Sequence, residues 1–450
     1  MQAEEKPGSE ARGLVRALGR FDLTALVVNS VIGSGIFGLP AILITLVGRW
    51  SPVAYLLAAA GMAIIALCLA EVASRFRAAG GPYLYAREAF GPFVGLQVGW
   101  IHWLVRIAAA AANANLFVLY LAELWSGATE PAVRLLLLTL IFFSLATANY
   151  RGVRAGAQVS NFFTAAKLLP LALFILVGLF FLRGENFAAG AGEGSGDWTQ
   201  ALLLLVYAYG GFESATIPAG EVRDPRRDTP FALLVGFGLV TLVYTLTQIV
   251  VVGTLPADAV TERPLATAAS QFLGRGGGLL LAVGALISVY GLLSSTLLNT
   301  PRLTYALAER GDFPAVFGAV HPRFHTPHVS IVVYAILSWG LAVWGSFQWN
   351  ALLSAVARLL IYGTTCAALL VFRQRNQQDA FRLPAGVVWS LAGMAFCLGL
   401  LLFMGRGELL VLGITALLAS ATWWWARRRA AGRACPYRSP QRSLLRRTSK

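Results

Sequence analysis

Residues 23–47 read LTALVVNSVIGSGIFGLPAILITLV. The run is apolar and long enough to cross a bilayer, which takes roughly 20 residues. Near its middle it carries the helix-breakers Gly33-Ser34-Gly35. A second run, 201–220, is broken at Gly210-Gly211, with Glu213 just beyond. Non-helical backbone at membrane depth leaves peptide groups without partners, tolerable only where protein, water or a solute satisfies them. Two such breaks at corresponding places in two halves of a chain point to a binding site built from unwound helices.

Composition agrees with a membrane protein. Hydrophobic residues make up 57% and charged residues 13% of the chain, and the mean hydropathy is +0.67. Twelve apolar stretches of spanning length can be read, near 23–47, 52–74, 93–122, 133–149, 157–182, 198–220, 230–254, 278–300, 328–345, 349–372, 387–404 and 407–426. The mixed segment 255–277 is expected to be an extramembrane helix or loop. The charged start and the length of the first run do not fit a cleavable signal peptide, so that run is expected to be retained as a helix.

A net charge of +15 could suggest nucleic acid, but its distribution argues otherwise. Most of the 36 Lys and Arg lie in the two tails and the even-numbered loops. The opposite loops hold Arg49, Arg134, Arg183, Arg263, Arg275 and Arg406, and Arg106, Lys167 and Arg358 fall inside spans. This asymmetry is the positive-inside pattern, and it predicts cytoplasmic termini in the cell's inner membrane. Segment 1–22 is then a cytoplasmic tail, and the basic segment 427–450 an anchor that meets anionic lipid.

If each broken helix opens a unit, 23–185 and 198–375 are two five-helix units, with helices 11 and 12 at 387–426 outside them. An odd number of spans per unit inverts the second relative to the first, placing a site at the midplane between them. The glycine-rich stretch 184–196 reads as an extracellular loop. Cysteine usage implies no disulfide framework: Cys68, Cys366 and Cys397 fall in spans and Cys435 in the tail. His321, His325 and His328 fit no zinc pattern, and no cofactor or metal is expected. Trp423-Trp424-Trp425 reads as an interfacial aromatic belt.

Four stretches carry a resemblance. Gly33-Ser34-Gly35-Ile36-Phe37 and Tyr207-Ala208-Tyr209-Gly210-Gly211-Phe212-Glu213 are similar to the broken-helix motifs of the amino acid–polyamine–organocation (APC) permeases. Gly80-Gly81-Pro82-Tyr83 with Tyr85 and Phe90-Gly91 resembles that family's loop between helices two and three. Thr300-Pro301-Arg302, Gly311-Asp312-Phe313-Pro314 and His321-Pro322 resemble its loop after helix eight. The matches run in order over about three quarters of the chain. The resemblance implies an all-α integral membrane fold of the leucine-transporter type. It would have twelve transmembrane helices, a 5+5 inverted repeat with helices 1 and 6 broken, and two extra helices.

Helix polarity suggests what such breaks bind. An outer half-helix starting at the first break aims N–H groups and a positive dipole end at a carboxylate. An inner half-helix ending there offers carbonyls to an ammonium. By resemblance the carboxylate falls to the amides of Ser34, Gly35 and Ile36, and the ammonium to the carbonyls of Val31, Tyr207 and Gly210. The competing reading is that these glycines only allow close helix packing.

The deep ionisable residues are functional by default, since each costs at least ~2.5–3.5 kcal/mol at the helix centre unless paired or hydrated. Lys167 lies ~15 Å into helix five at 1.5 Å per residue. By resemblance its ammonium takes the place of a sodium ion, bridging helices one and eight. Glu213 is read with it as an ion-coupling residue. For Arg106 three roles stay open: pairing with Glu213, gating or substrate contact, and burial as a structural arginine. Arg358 reads as a structural arginine capping carbonyls. Tyr207 and Phe212 flank the second break, where they could close over a substrate.

The function expected is sodium-independent secondary transport of an amino acid, by proton symport or exchange. Three deep cations against one anion favour a neutral amino acid, or an acidic one, over a cationic one. A polyamine or cationic amino acid antiporter is the alternative within the family. A polytopic enzyme or an amino-acid-sensing membrane protein is the alternative outside it. The acid, histidine or nucleophile cluster that an enzyme needs at a membrane face is not evident.

Overall fold

The computed structural model describes residues 18–76, 80–152, 157–188, 194–217, 222–256, 261–375 and 381–432. Most of both predicted tails, including Cys435, lies outside them, as does part of the glycine-rich loop. Among the described residues the chain forms fourteen α-helices: α1 (Arg20–Val31), α2 (Ser34–Val47), α3 (Ser51–Ser74), α4 (Gly81–Phe90), α5 (Pro92–Leu121), α6 (Pro131–Arg151), α7 (Ala157–Gly178), α8 (Trp198–Tyr209), α9 (Pro225–Thr254), α10 (Pro264–Glu309), α11 (His328–Trp344), α12 (Phe347–Gln374), α13 (Gly386–Leu401) and α14 (Arg406–Gly432). Proline sits in the first turn of α3, α4, α5, α6, α9 and α10. Its fixed φ suits that position, and its missing N–H has no intrahelical acceptor to lose there.

Among the described residues, seven helical stretches are long and apolar enough to cross a membrane, and three shorter apolar helices, Lys167–Phe181, His328–Trp344 and Gly386–Leu401, accompany them. The protein is thus an all-helical membrane protein. Its interior is packed from α1, α2, α3, α5, α8, α9, α10 and α12. The outer helices leave Leu136 and Phe143 of α6, Leu391 and Leu398 of α13, and Leu409, Leu410 and Leu417 of α14 exposed. A surface of that kind is stable in hydrocarbon and not in water.

Both predicted breaks are present, the first shifted by one or two residues. The chain leaves helical geometry at Ile32 (ψ 96°) and Gly33 (φ −135°, ψ −139°), so Ser34 and Gly35 already open α2. The reason is that a single extended turn between two half-helices needs only two non-helical residues. At the second break α8 ends at Tyr209, and Gly211 turns at φ +119°. A Cβ on Gly211 would stand 2.5 Å from the carbonyl oxygen of Ser30. Glycine is therefore required twice over, for its backbone angle and for the approach to α1. Beyond it the chain forms a short 3₁₀ turn, Phe212–Thr216, where spanning helix was expected to continue.

Segment 255–277, expected as a helix or loop outside the membrane, is in part helical. Part of it is the start of α10, which runs from Pro264 and is interrupted at Gly274 (φ 67°) before continuing to Glu309. The two loop motifs quoted from the sequence meet in space. Tyr83 and Arg87 of α4 both donate to Asp312, and Arg87 also donates to the Tyr83 hydroxyl at 2.7 Å. Burial together with the bond to the Asp312 carboxylate pushes the Tyr83 phenol up to about 12.

Candidate functional site

The breaks face one another across a cavity of about 50 Å³. Its walls are Ser30, Val31, Gly33, Ser34 and Gly35 from the first break and Tyr207, Ala208, Gly210 and Gly211 from the second. Arg106, Ala109 and Asn113 of α5, Leu292 and Thr296 of α10, and Arg358 of α12 complete it. At 10–15 Å³ for each water-sized position, there is room for about four waters or one small solute.

Local sequence explains the approach of the half-helices. A Cβ on Gly35 would lie 2.9 Å from the Cα of Ala208, so only glycine lets α2 lie this close to α8. Ser34 Oγ and the Tyr207 hydroxyl share a 2.6 Å hydrogen bond across the gap. The Tyr244 hydroxyl of α9 lies 2.8 Å from the Val31 carbonyl and 3.2 Å from that of Ala208, holding the ends of α1 and α8 together.

The polarity of the cavity follows from these ends. α2 begins at Ser34, so its first amides have no partner within the helix and carry the positive end of the dipole. α1 ends at Val31 and α8 at Tyr209, presenting carbonyls and two negative ends. One cavity thus offers N–H donors on one side and carbonyl acceptors on the other, complementary to a small zwitterion. The Val31 and Tyr207 carbonyls already accept one bond each, from the Tyr244 hydroxyl and the Gly210 amide. A carbonyl oxygen has two lone pairs and can accept a second.

Of the residues singled out from sequence, Val31, Ser34, Gly35, Tyr207, Gly210 and Arg106 line the cavity. Ile36 is buried in the first turn of α2 and lies outside that lining. Phe212 also lies outside it, stacked on Tyr362 with ring centroids 5.3 Å apart, so closing over the cavity is not its position here. Lys167 stands behind the first break, its ammonium donating to the carbonyls of Asn29 at 2.7 Å and Ile32 at 2.8 Å. Those are orphan acceptors at the end of α1, and a cation is the natural group to satisfy them.

Of the three roles left open for Arg106, the pairing with Glu213 falls away, and the reading of Arg358 is corrected. Glu213 is paired with Arg358, not Arg106. Its other carboxylate oxygen accepts from the Gly211 amide and the Tyr362 hydroxyl, both at 2.9 Å. Arg358 is therefore not a carbonyl cap. It crosses under the second break and packs against Gly210, whose Cβ would fall 2.7 Å from the guanidinium. The reason is reach: α12 lies directly against α8. Arg106 instead donates to Ser214 Oγ at 3.0 Å and to His102 Nε2 at 3.4 Å.

Asn113, Tyr244 and Phe347 were missed from sequence. Asn113 had a signal, since it falls seven residues after Arg106 and so on the same face of α5. Phe347, at the start of α12, lines a second cavity of about 760 Å³ walled by α2, α5 and the turn before α12. A Cβ on Gly38 would meet its ring at 2.5 Å, and Tyr207 packs edge-on against it at 6.3 Å. Among the described residues no group of His, Cys, Asp and Glu is placed to hold a metal ion.

A chain with paired half-helices around a small polar cavity can be compared with known proteins. Residues 18–424 match the family model described as amino acid permease. The serine/threonine exchanger SteT of Bacillus subtilis is 26% identical over 91% of this chain and 97% of its own length. The methylthioribose transporter of the same organism is 25% identical over 87% of this chain and 88% of its own. The b(0,+)-type amino acid transporter 1 of Oryctolagus cuniculus is 30% identical over 80% of this chain and 76% of its own. With the breaks, the cavity and a family match over nearly the whole chain in agreement, this chain belongs to the amino acid permeases of the APC superfamily, which are membrane transporters and not enzymes.

Proposed function

We propose that the protein moves a small neutral amino acid across the membrane by alternating access, as a sodium-independent proton symporter or exchanger. The observation that carries this reading is the cavity between the breaks, with the α2 N-terminus on one side and the α1 and α8 C-termini on the other. In it the amides of Ser34 and Gly35 take the α-carboxylate, and the carbonyls of Val31, Tyr207 and Gly210 take the α-ammonium. Two relatives named as amino acid transporters or exchangers, in Bacillus subtilis and the rabbit, support an amino acid as the cargo.

Cavity charge supports a neutral or acidic side chain over a cationic one. Arg106 and Arg358 both line the wall, and the neighbouring carboxylate, Glu213, is already committed to Arg358. A cationic side chain would meet uncompensated like charge in a low-dielectric site.

In this reading the chain crosses the membrane twelve times. α1 with α2, and α8 with the turn after it, each make one broken crossing, and the other ten are α3, α5, α6, α7, α9, α10, α11, α12, α13 and α14. Two units of five crossings are then inverted copies, with both termini cytoplasmic by the charge asymmetry of the loops. Lys167, satisfying the α1 carbonyls, stands where a coupling cation would otherwise be needed.

Counterflow of labelled amino acids in proteoliposomes is the test. Accumulation driven by unlabelled amino acid inside supports transport. Binding without counterflow would support a sensor instead, and best competition by putrescine, arginine or lysine would overturn the charge argument.

A further inference from the structure

Two polar atoms on the cavity wall lack partners. Asn113 is buried, 3% exposed, and its Nδ2 donates to the Ala109 carbonyl at 2.6 Å. A carbonyl can only accept, so this contact fixes the amide orientation and leaves Oδ1 as the free end. Oδ1 is buried and without a hydrogen-bond partner. Arg358, 5% exposed, carries the second such atom, Nε, a donor. Buried polar atoms in native structures are nearly always satisfied, so two exceptions on the wall of one cavity point to a polar solute that completes them.

We propose that Asn113 reads the substrate side chain and selects a hydroxyl, making small hydroxy amino acids of the serine and threonine type the preferred cargo. This rests on the reading of the cavity as the amino acid site. The chemistry narrows the choice stepwise. An acceptor needs a donor, which excludes carboxylate and aliphatic side chains as the group that satisfies Asn113. A cationic donor is disfavoured beside Arg106 and Arg358. A side-chain amide adds three heavy atoms beyond Cβ where the serine hydroxyl adds one, so a cavity of about 50 Å³ favours the hydroxyl. A hydroxyl remains, the small neutral group that both donates and accepts through one atom. Thr296 on the facing helix uses its hydroxyl proton on the Leu292 carbonyl at 2.7 Å, so it offers an oxygen to the same space.

Purified protein is titrated with L-serine, L-threonine and L-alanine, and apparent affinities are taken from ligand-induced shifts in melting temperature. The wild type should bind serine about tenfold more tightly than alanine, the worth of one net hydrogen bond in a buried site. In Asn113→Leu that ratio should fall to about one. Asn113→Thr, whose hydroxyl proton returns to the Ala109 carbonyl while its oxygen faces the cavity, should keep most of the preference. Using the ratio as readout removes any general loss of affinity or stability. A wild-type ratio near one, or an unchanged ratio in Asn113→Leu, would overturn the inference while alanine binding leaves the cavity reading standing. If no amino acid shifts the melting temperature, the cavity reading itself fails and the inference with it.

Discussion

Glu213 and Arg358 lie 145 residues apart in the chain and almost wholly inside the bundle, with side chains 3% and 6% exposed. Removing one partner of such a pair strands the other as an uncompensated buried charge, at a cost of about 3–5 kcal/mol. Glu213→Gln should therefore lower the melting temperature sharply, and adding Arg358→Met should recover much of the loss. Thermal denaturation in detergent checks this, and additive losses in the double variant would mean the two residues do not act as a pair. Lys167 makes a different prediction. Its two bonds go to backbone carbonyls at the first break, so Lys167→Met should reduce uptake severely by loosening the end of α1. In the wild type, uptake in choline buffer should equal uptake in sodium buffer at the same pH. A tenfold stimulation by sodium would exclude the lysine as the stand-in for an ion.

Among the elements, the close packing of α2 on α8 depends on one missing side chain. A valine at Gly35 would drive a branched carbon into the Ala208 backbone, which cannot rotate away. Gly35→Val should spread the half-helices and abolish the substrate-induced shift in melting temperature. Unchanged affinity would mean that the substrate does not sit against the first break. The entrance makes a second prediction. Phe347 lines the larger cavity and packs against Gly38 and against Tyr207, a wall of the smaller one. Phe347→Ala should speed the reaction of a cysteine placed at Thr296 with a membrane-impermeant thiol reagent. An unchanged rate would show that the ring does not close the path. Both breaks were legible in the sequence because closely spaced glycines inside an apolar run weaken the helix locally. The register of the first was not, since several neighbouring residues could equally leave the helix.

For the whole molecule, the loop charges make a topological prediction. Cysteines introduced into the two tails should be labelled by impermeant reagents only from the cytoplasmic face. Labelling of the two tails from opposite faces would require an odd number of crossings. The observed helices counted one by one do not yield the twelve crossings read from the apolar stretches, because α1 and α8, at 12 residues each, are too short to span when taken as single helices. They make sense only when each is joined to the chain beyond its break.

Composition, charge asymmetry and the interrupted apolar runs determined the membrane class, the two breaks and the depth of Lys167, because these are properties of local sequence. Which cation meets Glu213 was decided only in three dimensions. Arg106 and Arg358 sit at similar depths on different helices, and the packing of α12 against α8 favours the second. The same holds for Asn113. Its polarity was visible, but whether its amide was satisfied depended on the Ala109 carbonyl within its own helix and on the helices facing it. A linear pattern gives the period at which side chains share a face. It does not give the partner across the bundle, which is set by how helices distant in sequence pack.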